Sequence, residues 1–97
     1  MNNSQRSYLK GKAHHLDPII YIGRKGLSED TLYSIRIALA ARELIKIKFH
    51  GFNKESIQEI SKKITIKTLS FMVGSIGHTL ILFKQNSNSE KQKYQLP

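Results

Sequence analysis

One stretch near the start of the chain decides the fold: residues 19–30 read IIYIGRKGLSED. Its first four residues are apolar and mostly β-branched, which is typical of a strand buried on both faces or nearly so. Gly23-Arg24-Lys25-Gly26 then breaks the strand. Ser28 follows as a favourable N-cap, and the two acids after it suit the first turn of a helix. The stretch therefore predicts a strand, a tight loop and a helix in succession.

The helix is predicted to run to about Arg42 and to lead into a second strand. Apolar residues at helical spacing mark its core face: Leu32, Ile35, Ala38 and Leu39. Residues 44–50 then alternate, so that Lys46 and Lys48 point to one side and three apolar residues point to the other: Ile45, Ile47 and Phe49. A strand, a helix and a strand within about thirty residues form a βαβ unit, in which the strands lie parallel with a right-handed crossover.

A helix is also predicted before this unit, with Ser4 as its N-cap and an end near His14 or His15. Its buried stripe is expected to be Tyr8, Leu9, Ala13 and Leu16. Gly11 lies within the helix at a cost of about 1 kcal/mol relative to Ala, and its missing side chain is expected to permit close packing. Asp17-Pro18 ends the helix, because proline biases its predecessor away from helical angles.

After the unit, the pattern predicts a third helix and a hairpin. Gly51 turns the chain and Asn53 caps the helix, whose apolar stripe is Ile57, Ile60 and Ile64. Residues 71–76 and 79–83 are predicted to be antiparallel strands, joined by Gly77-His78 in a type II′ turn. The predicted fold is therefore α/β with the order α-β-α-β-α-β-β, its helices packed on a four-stranded mixed sheet.

The chain has room for one domain, which we expect to span residues 1–84. Residues 85–97 turn polar and cannot bury enough apolar area to order themselves, so we expect them to form a mobile tail. Tyr94 and Leu96 are the two side chains of this tail that can still dock on the domain.

Charge is the most informative bulk property, with 16 Lys and Arg against 7 Asp and Glu. The pI of about 10.0 exceeds the value of about 9 that is typical of nucleic-acid-binding domains. The alternative to nucleic-acid binding is that the lysine-rich faces only keep the protein in solution. The sequence contains no cysteine, no apolar run long enough to span a membrane and no signal-peptide core at its start. We therefore expect a cytoplasmic protein that does not bind membranes.

The loop from Gly23 to Gly26 is the candidate binding site. Two glycines let a backbone turn sharply and approach a ligand closely, and the amides of the helix that follows favour anions. In KH domains a GXXG loop clamps nucleic-acid backbone for these reasons. Here Arg24 and Lys25 add charge that can pair with phosphate. The structural alternative is that these glycines simply end a strand and precede a helix, and Glu29 with its acidic neighbour competes with phosphate there.

Four further residues are candidate RNA contacts: Lys12, His14, Lys46 and Lys48. For the two strand lysines, a solvated sheet face or a protected sheet edge is the usual alternative. His14 can instead orient the turn before Pro18. Three aromatic residues are expected to lie in the core or at its border and not to stack on bases: Tyr21, Tyr33 and Phe71.

Catalytic and metal-binding patterns are missing from the sequence. His14 and His15 are adjacent and diverge on a helix, while His50 and His78 stand alone, so we expect no metal site. The sequence contains no nucleophile motif, P-loop or pair of acids in an apolar setting, and the acids mostly lie beside lysines on predicted helix surfaces. We therefore predict that the chain is not an enzyme and needs no cofactor.

Three separated blocks of the chain resemble one known family. They are residues 9–28 (LKGKAHHLDPIIYIGRKGLS), 43–48 (ELIKIK) and 76–84 (IGHTLILFK), and the final Leu96-Pro97 is similar to the family's usual ending. The family is YhbY, the free-standing bacterial versions of the CRM domain, which is the RNA-binding module of plant organellar splicing factors. The resemblance implies a fold akin to the C-terminal domain of bacterial translation initiation factor three. It also implies RNA binding through the GxxG loop and association with precursors of the large ribosomal subunit.

One feature of the second helix departs from the family, namely the line Tyr33, Ile37 and Ala41, where relatives often carry polar residues. Three hypotheses therefore stand. The first is a monomeric RNA-binding factor that assists assembly of the large ribosomal subunit, and the second is a general or splicing-type RNA-binding factor. The third is a protein-interaction module that uses this apolar line. Binding that falls steeply with salt would favour RNA over an apolar protein contact.

Overall fold

The computed structural model describes residues 1–97, and it contains three α-helices, four strands and a short 3-10 helix. The elements are α1 Asn3–Ala13, β1 Ile20–Ile22, α2 Glu29–Arg42, β2 Leu44–Phe49, α3 Lys54–Thr68, β3 Phe71–Ile76, β4 Thr79–Phe83 and η1 Ser89–Lys91. The α/β class and the α-β-α-β-α-β-β order are confirmed. None of the helices combines the length and the apolar character that a membrane span needs.

The four strands form one mixed sheet in the order β1-β2-β4-β3. β1 and β2 are parallel, with Ile20 opposite Ile47, as the βαβ interpretation requires. β4 is antiparallel to both of its neighbours, β2 and β3. β1 and β3 are therefore the edge strands, and β2 lies inside the sheet.

The two faces of the sheet are covered differently. On one face, α2 and α3 enclose the larger cluster of buried residues: Ile22, Ile35, Leu39, Ile45, Ile47, Phe49, Ile57, Ile64, Leu80 and Leu82. On the other face, α1 covers a smaller cluster: Leu9, Ala13, Leu44, Val73, Ile81 and Phe83. Residues 44, 46 and 48 of β2 share this second face because side chains alternate along a strand.

The start of α1 differs from the prediction. Its N-cap is Asn2, not Ser4: the Asn2 side chain accepts a hydrogen bond from the Gln5 amide at 2.8 Å. The Gln5 side chain in turn accepts one from the Asn2 amide at 3.1 Å. This reciprocal capping box satisfies two otherwise unpaired amides, which explains why the helix begins two residues earlier. The predicted caps Ser28 of α2 and Asn53 of α3 are confirmed.

Two glycines test two predictions about the backbone. A Cβ placed on Gly11 in α1 would meet nothing within 4 Å, so the predicted close packing at this position is wrong. Gly77 has a φ of +58°, whereas His78 is not among the residues with positive φ. A positive φ at the first central position only is what a type II′ turn requires, so the hairpin prediction is supported.

The edge strand β3 contains an irregularity. Its register with β4 shifts between Met72 and Gly74, which marks a bulge. The Arg6 guanidinium of α1 donates hydrogen bonds to the carbonyl oxygens of Met72 and Val73 at 2.5 and 3.2 Å. A side chain of α1 thus occupies the backbone acceptors next to the bulge.

Glu43 is the only buried acidic side chain, and it is an exception to the prediction that the acids mostly lie beside lysines on helix surfaces. It ends α2 with a φ of 66° and is 1% exposed. Its carboxylate accepts hydrogen bonds from three backbone amides of the C-terminal segment: Asn86 at 2.6 Å, Lys93 at 2.7 Å and Tyr94 at 3.1 Å. Both oxygens of this buried carboxylate therefore have hydrogen-bond partners, as buried polar groups generally do.

The C-terminal segment also packs through its apolar side chains. Tyr94 and Leu96 pack against the smaller core cluster. These two side chains therefore dock on the domain, as the sequence analysis allowed. The Tyr94 ring meets the Phe83 ring edge-on, with centroids 6.2 Å apart. The mobility of residues 85–93 in solution stays a prediction.

Candidate nucleic-acid interface

The loop between β1 and α2 is a tight turn with two exposed cations at its tip. The Gly26 amide donates a hydrogen bond to the Gly23 carbonyl oxygen at 2.8 Å, which closes the turn. Gly26 has a φ of +69°, a conformation that residues with a Cβ rarely adopt. Arg24 and Lys25 occupy the two central positions, and both are exposed. The turn therefore presents two positive charges to solvent.

The start of α2 modifies the charge around this turn. The Ser28 hydroxyl accepts a hydrogen bond from the Thr31 amide at 3.1 Å and so caps the helix. Glu29 and Asp30 follow in the first turn, both exposed. Their negative charges offset the attraction that the helix amides would exert on a phosphate. Any attraction for an anion at this site must therefore come mainly from Arg24 and Lys25.

Tyr21 in β1 points to the face that α1 partly covers, and its side chain is 60% exposed. The predicted burial of β1 on both faces is therefore wrong. β1 is an edge strand, and α1 covers only the part of this face around Leu44, Ile81 and Phe83. Only Ile22 in β1 is fully buried.

The uncovered part of this face forms a continuous row across the sheet. Tyr21 pairs with Lys48, Lys48 with Thr79, and Thr79 with Ile76. We call these four residues, together with Lys46, the open half of the sheet. Lys46 and Lys48 are partly buried and lie on an interior strand, so the protected-edge interpretation of these lysines is wrong.

A third lysine reaches this surface from α1. A Cβ placed on Gly74 in β3 would lie 2.7 Å from Cε of Lys10, which shows that the Lys10 side chain lies directly over β3 at this position. Gly74 pairs with Ile81, and Ile81 pairs with Lys46, so the three lie in one row. Lys10 is exposed, and its contact with β3 has no local signal in the sequence, because Gly74 lies sixty-four positions later.

The two remaining candidates take different positions. Lys12 lies with its Nζ 5.5 Å from the centroid of the Tyr8 ring on the same helix. His14 caps the end of α1, exposed, and follows Lys10 by four residues, which places both on one side of the helix. The structure therefore places Lys10, Lys46 and Lys48 on one face of the sheet, with His14 on the same side of α1 as Lys10. Lys12 is held against Tyr8 instead.

Aromatic side chains are more exposed than the sequence predicted. Tyr33 on α2 is 64% exposed and Phe71 at the start of β3 is 52% exposed, so the expected core positions are wrong for both, as for Tyr21. The Tyr21 ring stacks beside the His50 ring, with an interplanar angle of 14° and centroids 6.2 Å apart. Strand alternation alone predicts that residues 48 and 50 share a face, but not that His50 meets Tyr21 from the neighbouring strand.

Two other cations are already engaged in the fold. The Arg36 guanidinium donates to the Lys67 carbonyl oxygen at 3.2 Å, and Nζ of Lys84 donates to the Thr68 carbonyl oxygen at 3.0 Å. Both bonds satisfy carbonyls at the end of α3, a place where positive charge is favourable. No group of three or more His, Asp or Glu side chains is arranged to hold a metal ion.

The chain is similar to known proteins over its whole length. The model of the CRS1 / YhbY (CRM) domain matches residues 1–84. A Haemophilus influenzae protein named "RNA-binding protein" is 41% identical over 97 residues, covering 100% of this chain and 95% of that protein. The Bacillus subtilis protein named "Probable RNA-binding protein YqeI" is 32% identical over 97 residues, covering 100% and 99%. The solution structure of the hypothetical protein SAV1595 from Staphylococcus aureus superposes with a TM-score of 0.84 at 29% identity, covering 100% and 99%.

Proposed function

The chain belongs to the CRS1 / YhbY (CRM) domain family, and from this premise we propose that it binds RNA through the Gly23–Gly26 loop. The observation that carries the proposal is the turn itself, which presents exposed Arg24 and Lys25 on a chain of net charge +9. A basic surface gains affinity for RNA because phosphates that are neutralised release their condensed counterions. The names of the relatives support RNA as the ligand.

The loop suits RNA backbone better than base edges. Gly23 and Gly26 present no side chain, so a phosphodiester can approach the turn closely, and the two cations provide a fork and a point charge for its oxygens. Lys46, Lys48 and Lys10 extend the positive surface away from the loop, and His14 lies on the same side of α1 as Lys10. Backbone contacts position a protein without reading sequence, so we propose little sequence preference for the loop.

The biological role that we propose is assistance in assembly of the large ribosomal subunit. The protein would act in the cytoplasm as a monomer, would bind ribosomal RNA of the precursor and would catalyse no reaction. A general or splicing-type RNA-binding role without the ribosome is the alternative. Sedimentation of a cell lysate at low salt separates these two roles. Signal with immature large subunits supports the ribosomal role, and signal only at the top of the gradient counts against it.

A protein-interaction role is the second candidate function, and one observation favours it. Tyr33, Ile37 and Ala41 lie along one side of α2 and are all exposed. Such a contact would depend little on salt, whereas RNA binding would fall steeply with it.

Charge reversal at the loop tests the proposed RNA site. We expect Arg24→Asp with Lys25→Asp to weaken RNA binding strongly, because two cations are lost and two anions then face phosphate. Both side chains are exposed, so the free energy of unfolding should change by no more than about 0.5 kcal/mol per position. Fluorescence anisotropy with a labelled structured RNA gives the affinity.

The matched control changes Lys62 and Lys63 to Asp on the exposed side of α3, which alters the net charge by the same amount. We expect this variant to lose much less affinity. Equal losses in the two double variants would mean that diffuse charge, and not the loop, accounts for binding.

A further inference from the structure

We propose that Tyr21 and His50 form a stacking platform for an unpaired nucleobase of the RNA that the loop holds. The inference rests on the proposed function, because the loop supplies the backbone contact. It adds a second element of recognition, namely a preference for RNA in which at least one base near the bound backbone is free to leave its helix.

The geometry of the two rings suits this role. Their planes lie within 14° of each other and their centroids are 6.2 Å apart, so they form an offset pair that a third flat ring can extend. Tyr21 is 60% exposed and His50 is also exposed. Neither ring belongs to either core cluster, so packing inside the protein does not account for their arrangement.

The platform lies at the same end of the sheet as the loop. β1 and β2 are parallel. Tyr21 lies one residue before the carboxyl end of β1, and His50 directly follows β2. The Cα atoms of Tyr21 and Gly23 are two residues apart, which limits their separation to about 7 Å. A nucleotide whose phosphate meets the turn can therefore reach the rings with its own base or with the next one.

The neighbours of the platform indicate RNA and not an apolar protein segment. Lys48 pairs directly with Tyr21, and Lys46 lies two residues before Lys48 on the same face. An aromatic ring bordered by cations offers a base a flat surface and its phosphates a counter-charge. An apolar protein segment would have to desolvate the same lysines without compensation. The charge complementarity of this face therefore favours a polyanion.

Unpaired RNA is favoured because a base can stack on a side chain only when its own face is free. In a continuous helix both faces of each base are covered by neighbouring bases, and proteins that stack aromatic residues on RNA bind loops, bulges and ends. The platform thus predicts that a hairpin with an accessible loop or overhang binds more tightly than a blunt duplex of the same charge.

The test uses the full chain and two labelled RNAs, a hairpin with a single-stranded overhang and a blunt duplex with the same number of phosphates. Tyr21→Thr removes the ring and keeps a good strand former. We expect it to bind the overhang RNA roughly 5- to 100-fold more weakly and the duplex within about twofold of wild type. The dependence of log K on log salt should not change, because no charge is removed.

Two controls keep the result interpretable. Tyr21→Phe retains the ring and should bind both RNAs within about twofold of wild type. Tyr33→Thr removes an equally exposed tyrosine on α2 and should also leave both affinities unchanged. Thermal unfolding of each variant shows whether it is folded, and His50→Ala repeats the test from the other ring if Tyr21→Thr is unfolded.

The outcomes separate the two proposals. Wild-type protein that binds neither RNA overturns the proposed function and the platform together. Wild-type protein that binds both RNAs, with Tyr21→Thr unchanged on the overhang, overturns the platform alone. An equal loss on the duplex and the overhang RNA also overturns it, since a stacking contact should be absent on the duplex.

Discussion

One face of the sheet is divided into two regions that differ in almost every respect. Around Leu44, Ile81 and Phe83 it is covered by α1 and by the C-terminal segment. Around Tyr21 and Lys48 it is open and carries cations beside an exposed ring. The strands are the same in both regions, so the sheet itself does not determine the difference. What covers each region determines whether its residues stabilise the fold or remain available to a ligand.

The covered region should control stability, and the open region should control binding. Substitutions can separate these properties because the two regions share no side chain. We expect effects on the free energy of unfolding to be large in the covered region and small in the open one. Effects on RNA affinity should show the opposite distribution.

The largest expected effect is at Glu43. Glu43→Ala removes the acceptor of three backbone amides that hold the C-terminal segment against the domain. Hydrogen bonds to a charged group contribute about 1.5–3 kcal/mol each, and the three are not additive because the segment can detach as a unit. We expect a loss of roughly 2–4 kcal/mol in the free energy of unfolding. Urea denaturation monitored by circular dichroism measures it.

Glu59→Ala on the exposed side of α3 is the control, and it should shift stability by no more than about 0.5 kcal/mol. RNA affinity of folded Glu43→Ala should equal that of wild type. Amide relaxation of both proteins also tests the sequence-based prediction that residues 85–93 are mobile, which the hydrogen bonds of Asn86 and Lys93 to Glu43 oppose. Order parameters as high as those of the helices would contradict that prediction, and a Glu43 variant as stable as wild type would contradict the role of the carboxylate.

An intermediate effect is expected in the open half. Lys46→Gln with Lys48→Gln removes two cations without introducing a charge, and the two side chains are only partly buried. If both contact phosphate, the slope of log K against log salt should flatten by roughly 1.4 to 1.8. Stability should change much less than at Glu43.

Lys62→Gln with Lys63→Gln removes the same charge from α3 and provides the comparison. We expect its slope to stay close to that of wild type. Identical slopes in the two double variants would mean that Lys46 and Lys48 do not contact phosphate.

The smallest expected effect is at Gly11, in the helix that covers the sheet. The space beside Gly11 is open and its φ is not positive, so an alanine fits without strain. Gly11→Ala should stabilise the protein by about 0.5–1 kcal/mol, because alanine favours the helix and restricts the unfolded chain. Thermal and urea denaturation measure the gain, and RNA affinity should not change. A destabilised variant would mean that α1 packs against something at this position.

Local patterns were sufficient to predict the elements of the fold. Alternation identified β2, helical spacing identified the core side of α2, and Gly77 identified the hairpin turn. Asn2 and Gln5 also fit the local pattern of a capping box, because they are three residues apart, although the predicted N-cap was Ser4. These features depend on neighbours within a few residues, which is why a sequence can reveal them.

The positions that the sequence did not predict depend on distant parts of the chain. Tyr21 is exposed because α1 crosses the other half of its face, and Glu43 is buried because residues 86–94 return to it. Lys10 reaches the sheet because residue 74 has no side chain. None of these contacts leaves a periodic signal near the residue concerned.

The bulge in β3 has a consequence for the behaviour of many copies of the chain at once. An exposed sheet edge offers a row of unpaired backbone groups to which a strand of another molecule can add, and this addition begins fibre formation. Here the bulge between Met72 and Gly74 makes the edge strand β3 irregular, and Arg6 already occupies the carbonyl oxygens of Met72 and Val73. The opposite edge, β1, is only three residues long. Both edges therefore resist strand addition between copies, while the sheet face between them stays open to a ligand.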